Sequence, residues 1–412
     1  MKNKVELLAP AGSLQKLKYA IEYGADAVYI GGEAFSLRVA AKNFSLDEIR
    51  EGIEFAHERG KKVYITANII PHNEDLKEFP DFVREVASLG ADAIIVSDLG
   101  AFAIVKEVAP DLEIHISTQA NNTNYMSAKM WYELGAKRVV LARDLSFDEI
   151  REIRENINDD EELECFVHGA MCVSYSGRCL LSNYLTHRDA NKGACSHPCR
   201  WKYYLMEEKR PGEYMPVFEN DRGTFLYNSK DLCMVKYIPD LINAGITSFK
   251  IEGRVKNELY VATVVGAYRR AIDSYYEDPE NFKVDDEILV ELEKVSHREY
   301  TTGFYYGKPD ENNQLYTSNT YIQDYTIVGV VTDYDEETKI ATIEQRNRFF
   351  KGEELEVISP HLPSFAFSSD YMKNESDEDI DVAPHPQMIV KLKIDSKVVP
   401  YSIIRIKVVE LF

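Results

Sequence analysis

Several common signatures are missing from this sequence. No HExxH helix marks a zinc protease, no GxSxG turn marks a serine hydrolase, and no pair of CxxC knuckles marks a zinc ribbon. No charged n-region followed by an apolar run opens the chain. No apolar stretch approaches the length that spans a bilayer. The expectation is a cytoplasmic protein with no membrane contact and with reduced cysteines. Basic residues are also in deficit: 48 Lys and Arg against 69 Asp and Glu give a formal charge of -21. Such a surface repels polyanions, which excludes indiscriminate binding of nucleic acid by the whole molecule.

At 412 residues, 45% of them hydrophobic, the chain can form one large domain and a small one. Five of its six cysteines lie between Glu164 and Trp201, and the run from His168 to Cys179 packs Gly, Ser, Tyr and Cys too tightly for an ordinary helix or strand. Cys172 and Cys179 are separated by six residues, Cys195 and Cys199 by three, and Cys233 follows alone. Clustered thiols in a reduced protein point to a soft metal or a redox centre. The spacing leaves three readings open: an iron-sulfur cluster, whose ligands can come from separate loops, a zinc site, or buried structural cysteines. From Ala170 to Leu205, five cations (Arg178, Arg188, Lys192, Arg200, Lys202) against Asp189 give five minus one, or +4. Interleaved with Tyr175, Tyr184, Trp201, Tyr203 and Tyr204, this island can seat an anion or a single-stranded nucleotide; a solvated loop whose charges pair with acidic neighbours is the alternative.

Apolar runs of strand size recur with helical segments between them. They begin near Val5, Ala27, Lys62, Ala93, Glu113, Arg138, Glu162 and Ser248. Ser13 is placed to cap a first helix, and Ser45 with Glu48 forms a capping box for a second. The joints YGADAVYI, RGKKVYI, LGADAIIV, LGAKRVVL and AGITSFKI each put a glycine where a helix should end in a left-handed residue. Eight such repeats are most simply closed as a TIM-like (β/α)8 barrel over residues 1–280. The cysteine-rich segment, 170–247, is then a long insertion leaving strand seven on the face where such barrels build their sites. An acidic helix at 285–294 within a connector, 281–319, reads as solvated. Alternation from Tyr321 onward predicts a small antiparallel β-barrel over 320–412, with a hairpin about Asp335 to Thr338 and a mobile acidic loop from Asn374 to Asp381.

The C-terminal strand ends bring Glu33, Arg38, Asn68, Gln119, Asn121, Arg143, Lys250, Glu252 and Arg254 to one mouth. Four cations there, Arg38, Arg143, Lys250 and Arg254, suit a small anionic ligand such as a dicarboxylate. The alternative pairs Lys250 with Glu252 inside the barrel and leaves Arg38 and Arg143 on the rim.

The run Glu164-x-Phe166-x-x-Gly169-Ala170-Met171-Cys172, then Gly177-x-Cys179-x-Leu181-Ser182, resembles the signature of the peptidase U32 family, the collagenase-like peptidases. ELLAPAG, NKGACSHPCRW and KIEGR are similar to the same family, and the β-rich tail resembles that of its tRNA-hydroxylation branch. The resemblance implies prephenate-dependent 5-hydroxylation of the wobble uridine, so that the anticodon loop of tRNA is the expected partner and prephenate the co-substrate. It also implies a 4Fe-4S cluster on Cys172, Cys179, Cys195 and Cys233, with Cys199 as a substitute. His168 and Glu252 are the candidate catalytic side chains. The family name implies a peptidase alternative, with Cys172 or Cys179 as nucleophile and His168 as base, although a thiolate committed to iron is lost as a nucleophile. A scaffold role beside a protein partner is the third reading.

Overall fold

In a computed structural model of the chain, the residues described are 4–32, 35–36, 43–172, 175, 179–188, 190, 193–198, 205–206, 214–215, 219–220, 223–224, 230–307 and 322–408. Eight strands, β1 (Glu6–Pro10), β2 (Ala27–Gly31), β3 (Lys62–Thr66), β4 (Ala93–Val96), β5 (Glu113–Ile116), β6 (Arg138–Val140), β7 (Glu162–Ala170) and β8 (Ser248–Ile251), run parallel in chain order. β8 pairs with both β1 and β7, which closes the ring. The fold is a TIM-like barrel.

Helix entry and exit follow the sequence closely. Ser13 caps Leu14–Glu22, the Ser45/Glu48 capping box opens Leu46–His57, and Asn257 caps Glu258–Glu277. The five joint glycines, Gly24, Gly60, Gly90, Gly135 and Gly245, all take φ between 65° and 103°, which a side chain would strain. Alternation sorts the barrel residues into two cores. Leu8, Ala27, Tyr29, Tyr64, Ala93 and Ile95 pack in the lumen, while Leu7, Val28, Val63, Ile94 and Val139 face the helices.

β7 continues past the barrel wall, and its last residues pair antiparallel with a short strand, Asp231–Cys233, placing Cys233 opposite His168 and Asp231 opposite Ala170. Tyr300–Thr301 then adds parallel to that strand. Of the segment between, too few residues are described to define an insertion domain.

The C-terminal domain is a seven-stranded antiparallel sheet in the order Leu362–Ser368, Glu354–Ser359, Ile403–Lys407, Tyr325–Asp335, Ile340–Gln345, Ile389–Lys393, Met372–Asn374. Its hairpin turns where Asp335 Oδ1 accepts from the Glu337 and Thr338 amides at 2.8 and 3.1 Å. Two expectations change. The helix Asp286–Glu293 is no solvated connector, because Ile288 and Leu292 are buried and Glu291 receives the fully buried Arg405 at 2.8 Å. The acidic stretch from Asn374 is a folded turn, with the Asn374 side chain accepting from the amides of Ser376 and Glu378. Tyr23 ties the two domains by donating its hydroxyl to the carbonyls of Ile358 and Tyr401 at 3.0 and 3.1 Å. Among the described residues no helix is long and apolar enough to cross a membrane.

Candidate functional site at the barrel mouth

The lumen is charged at its N-terminal end. Arg138, at the start of β6, reaches Glu6 (2.5 Å), Glu162 (2.7 Å) and Glu164 (3.0 Å) on β1 and β7. Ser248 Oγ donates to Glu6 and Glu164, and the Tyr64 hydroxyl donates to Glu6 at 2.6 Å. Burial pushes the Glu6 carboxyl up, but Arg138, the Tyr64 hydroxyl and His115 together outweigh it and hold it at about 2. Glu164, with no exposed surface, is likewise raised by burial and lowered more by Lys250 and Arg138, so that it ends below its usual range. This end of such barrels serves stability rather than chemistry.

Lys250 belongs to that network. Its ammonium lies 2.6 Å from Glu164 and 4.6 Å from the centre of the Tyr29 ring, with 5% of the residue exposed. Its partner is thus Glu164 rather than the Glu252 of the alternative reading, and a side chain neutralised by Glu164 has little charge left for the anion at the mouth that was expected of it. Burial lowers its pKa below the usual lysine value, although Glu164 beside it raises it.

Above this layer the strand ends carry the other candidates. Arg254, 4% exposed, donates through Nη1 to Ser36 Oγ at 2.7 Å and Thr66 Oγ1 at 3.2 Å, and through Nη2 to Asn43 Oδ1 at 3.1 Å. Gly31 is required there, since a Cβ on it would collide with the Arg254 guanidinium and with Ser36. Arg143 lies flat on Phe166, 3.7 Å from the ring centre, and donates to the Ala170 carbonyl at 2.7 Å. Asn68 donates to Ser117 Oγ at 3.1 Å, joining the ends of β3 and β5 across β4. Arg38 and Glu33 lie outside the described residues, as do Cys199, Arg178, Lys192, Arg200, Lys202, Trp201, Tyr203 and Tyr204. Ser36, Asn43, Thr66 and Asn122 were missed by the sequence reading; as isolated small polar residues beside apolar runs they carry no pattern of their own.

His168 does not share the lumen with Glu164 and Phe166. The register between β7 and β8 slips between Lys250 and Ile251, where Phe166 and His168 are the successive partners and Val167 is skipped. This bulge turns the His168 ring onto Tyr260 and Tyr268 of the outer helix Glu258–Glu277, with Tyr300 on a third side. Burial, with His297 and Lys256 nearby, pushes its pKa down to about 3. Gly169, the next residue, allows close approach of β8: Glu252 N donates to the His168 carbonyl at 2.9 Å, and a Cβ on Gly169 would stand 2.8 Å from Glu252 O. The Glu252 side chain is 9% exposed.

Cys172 is exposed, Cys179, Cys195 and Cys233 are half-buried, and Cys165 is buried in the barrel's outer core. Burial pushes the Cys233 thiol up to about 11 and that of Cys165 up to about 12. The thiols of Cys172, Cys179, Cys195 and Cys233 supply donors of the right kind for a soft metal. Among the described residues no three His, Cys, Asp or Glu side chains are grouped to hold a single metal ion; a cluster, larger than one ion, can draw its thiolates from separate loops.

Polar strand ends around the C-terminal mouth, above a salt-bridged floor and beside a thiol-bearing segment, belong to a barrel of the TIM class and lie on the face where such barrels carry their sites. The chain belongs to peptidase family U32, whose profile matches residues 12–315, and the profile of that family's C-terminal domain matches residues 323–405. It is similar to tRNA hydroxylation protein P1 of Bacillus subtilis (44% identical over 402 residues, 98% of this chain and 94% of that one). It is also similar to tRNA hydroxylation protein P of Escherichia coli (38% over 421 residues, 92% of each). A further relative is the 23S rRNA 5-hydroxycytidine C2501 synthase of Escherichia coli, 36% identical over 308 residues, covering 73% of this chain and 45% of that protein.

Proposed function

We propose that this protein is an RNA-modifying enzyme that hydroxylates tRNA. The observation that carries the reading is end-to-end similarity, through barrel and β domain alike, to proteins named for tRNA hydroxylation. The geometry is compatible with it. A single-stranded anticodon base needs no duplex opening, and the mouth offers Arg143, Arg254 and neutral amides rather than a greasy pocket.

The finer proposal is 5-hydroxylation of the wobble uridine in the cytoplasm with prephenate as co-substrate. Arg38, Arg143 and Arg254 are the cations proposed for its carboxylates, Lys250 being held by Glu164. An iron-sulfur cluster on Cys172, Cys179, Cys195 and Cys233 remains part of the proposal as a matter of composition. Those four thiols would hold it, and no step of the reaction is drawn through it.

The peptidase reading has a specific difficulty. A thiol protease needs an imidazole that holds a proton and a thiol that loses one. Here burial drives His168, the base that reading needs, down to about 3, opposite to what the chemistry requires.

The test is to delete the gene and measure tRNA nucleosides by mass spectrometry. Loss of 5-hydroxyuridine derivatives, restored by the wild-type gene, is the expected result. Unchanged nucleosides with proteolysis by purified protein would overturn it.

A further inference from the structure

Three amide atoms at the mouth have been taken out of water and given no partner: Asn68 Oδ1, Gln119 Oε1 and Asn122 Nδ2. Buried polar groups in folded proteins are nearly always paired, so three orphans on the loops leaving two strands of one barrel face call for an explanation. Asn68 follows β3, and Gln119 and Asn122 follow β5. The two loops meet at Ser117, whose Oγ accepts from Asn68 Nδ2 and from the Gln119 backbone amide at 3.1 and 3.3 Å. Asn122 is 1% exposed and bridges to Leu141 at the end of β6, its carbonyl accepting from Ala142 at 3.0 Å. Between them Asn121 holds a left-handed backbone, φ 56°, steadied by its own Nδ2 on the Gln119 carbonyl at 3.0 Å. A non-glycine residue in that region is held by its surroundings, and such positions concentrate at functional sites.

Resting on the RNA-modification reading above, we infer that Asn68, Gln119 and Asn122 form the base-reading edge of the site and take the hydrogen-bonding edge of a pyrimidine. The chemistry of the orphans selects this class. Two acceptors and one donor, all uncharged, match a planar neutral heterocycle that presents both N–H and C=O groups along one side. A phosphate or carboxylate would instead go to the guanidinium groups of Arg143 and Arg254. The amides of Gln119 and Asn122 can each turn to present oxygen or nitrogen, so the same three side chains can meet a uracil or a cytosine edge. Amide side chains are the usual partners of base edges, and an extruded base is read by such bonds.

The experiment is complementation of the deletion strain with wild type, Gln119→Met and Asn122→Leu, reading hydroxylated nucleosides by mass spectrometry and melting temperature of each purified protein. Each substitution keeps side-chain size and removes the orphan. Expected are a loss of product of at least ten-fold and a melting temperature equal to or above that of wild type. Full product from both variants overturns the inference while leaving the RNA reading intact. Loss of product with a lowered melting temperature also overturns it, since the amides would then be structural. If wild type itself restores no hydroxylated nucleoside, the RNA reading fails and takes this inference with it.

Discussion

Replacing Arg138 by Met should destabilise the barrel in a way that depends on pH with a particular sign. Arg138 is 4% exposed and holds three carboxylates, of which Glu164 is fully buried. Taking away one partner of a buried ion pair leaves uncompensated charge and costs about 3–5 kcal/mol. For a domain of this size that lowers the melting temperature by roughly 6–20 °C. In the wild type, Glu6 sits at about 2 against its usual 4.5. Its stabilisation is complete above the unfolded value and is lost only as pH falls from about 4.5 towards 2, so wild-type stability from this group is flat between pH 7.5 and 5.5. In the variant the cation is gone and burial dominates at Glu6, which lifts it above the ordinary carboxylate range, while Glu164 keeps Lys250 at 2.6 Å. A raised acid binds its proton more tightly when folded, so the variant gains stability as pH falls. The gap between the two proteins should therefore narrow from pH 7.5 to pH 5.5 in thermal melts. Lys137→Met is the control, because Lys137 meets Glu162 at 3.3 Å with 40% of its side chain exposed and should shift stability by about 0.5 kcal/mol or less. A gap that is constant or widens on acidification would show that Arg138 acts by packing, and the electrostatic account would fail.

The network explains what the sequence could and could not reveal. Strand positions and helix ends were legible because each rests on local chemistry: an apolar run, a serine cap, a glycine at positive φ. Glu6 and Arg138, in contrast, stand 132 residues apart and meet only because the ring closes. Glu164 was legible as a signature residue, but its partner Lys250 was read as a cation for an anionic ligand, with Glu252 as the alternative partner. His168 shows a different limit. Strict alternation puts it on the face of Glu164 and Phe166, and one skipped residue reverses that, which no periodicity records. The strand Asp231–Cys233 has three residues and forms because β7 overruns the barrel, so its signal lies in another part of the chain. The expectation of a cluster in the cysteine-rich segment came from family resemblance, because the spacing of its thiols alone left three readings open.

Arg405→Met should loosen the domain interface, since it strands Glu291 and Glu356 with Lys294 alone; a cost of roughly 2–5 kcal/mol would appear in calorimetry as separation of the two domains' transitions. Anaerobically purified protein should contain iron and sulfide that Cys172→Ser or Cys179→Ser abolishes and Cys165→Ala leaves in place; iron-free wild type would remove the cluster from the proposal. Arg254→Lys separates charge from shape at the mouth. An ammonium retains the positive charge but cannot reproduce the fork that reaches Ser36, Thr66 and Asn43, which arrive from different segments around β2 and β3. With two or more hydrogen bonds to a charged group lost, each contributing about 1.5–3 kcal/mol, product in the complemented strain should fall at least ten-fold. Gly31→Ala should do the same without touching any charge, because its Cβ would occupy the space of the Arg254 guanidinium. If Arg254→Lys is fully active while Gly31→Ala is not, Arg254 serves through its charge alone. If both are fully active, the guanidinium is no part of the site.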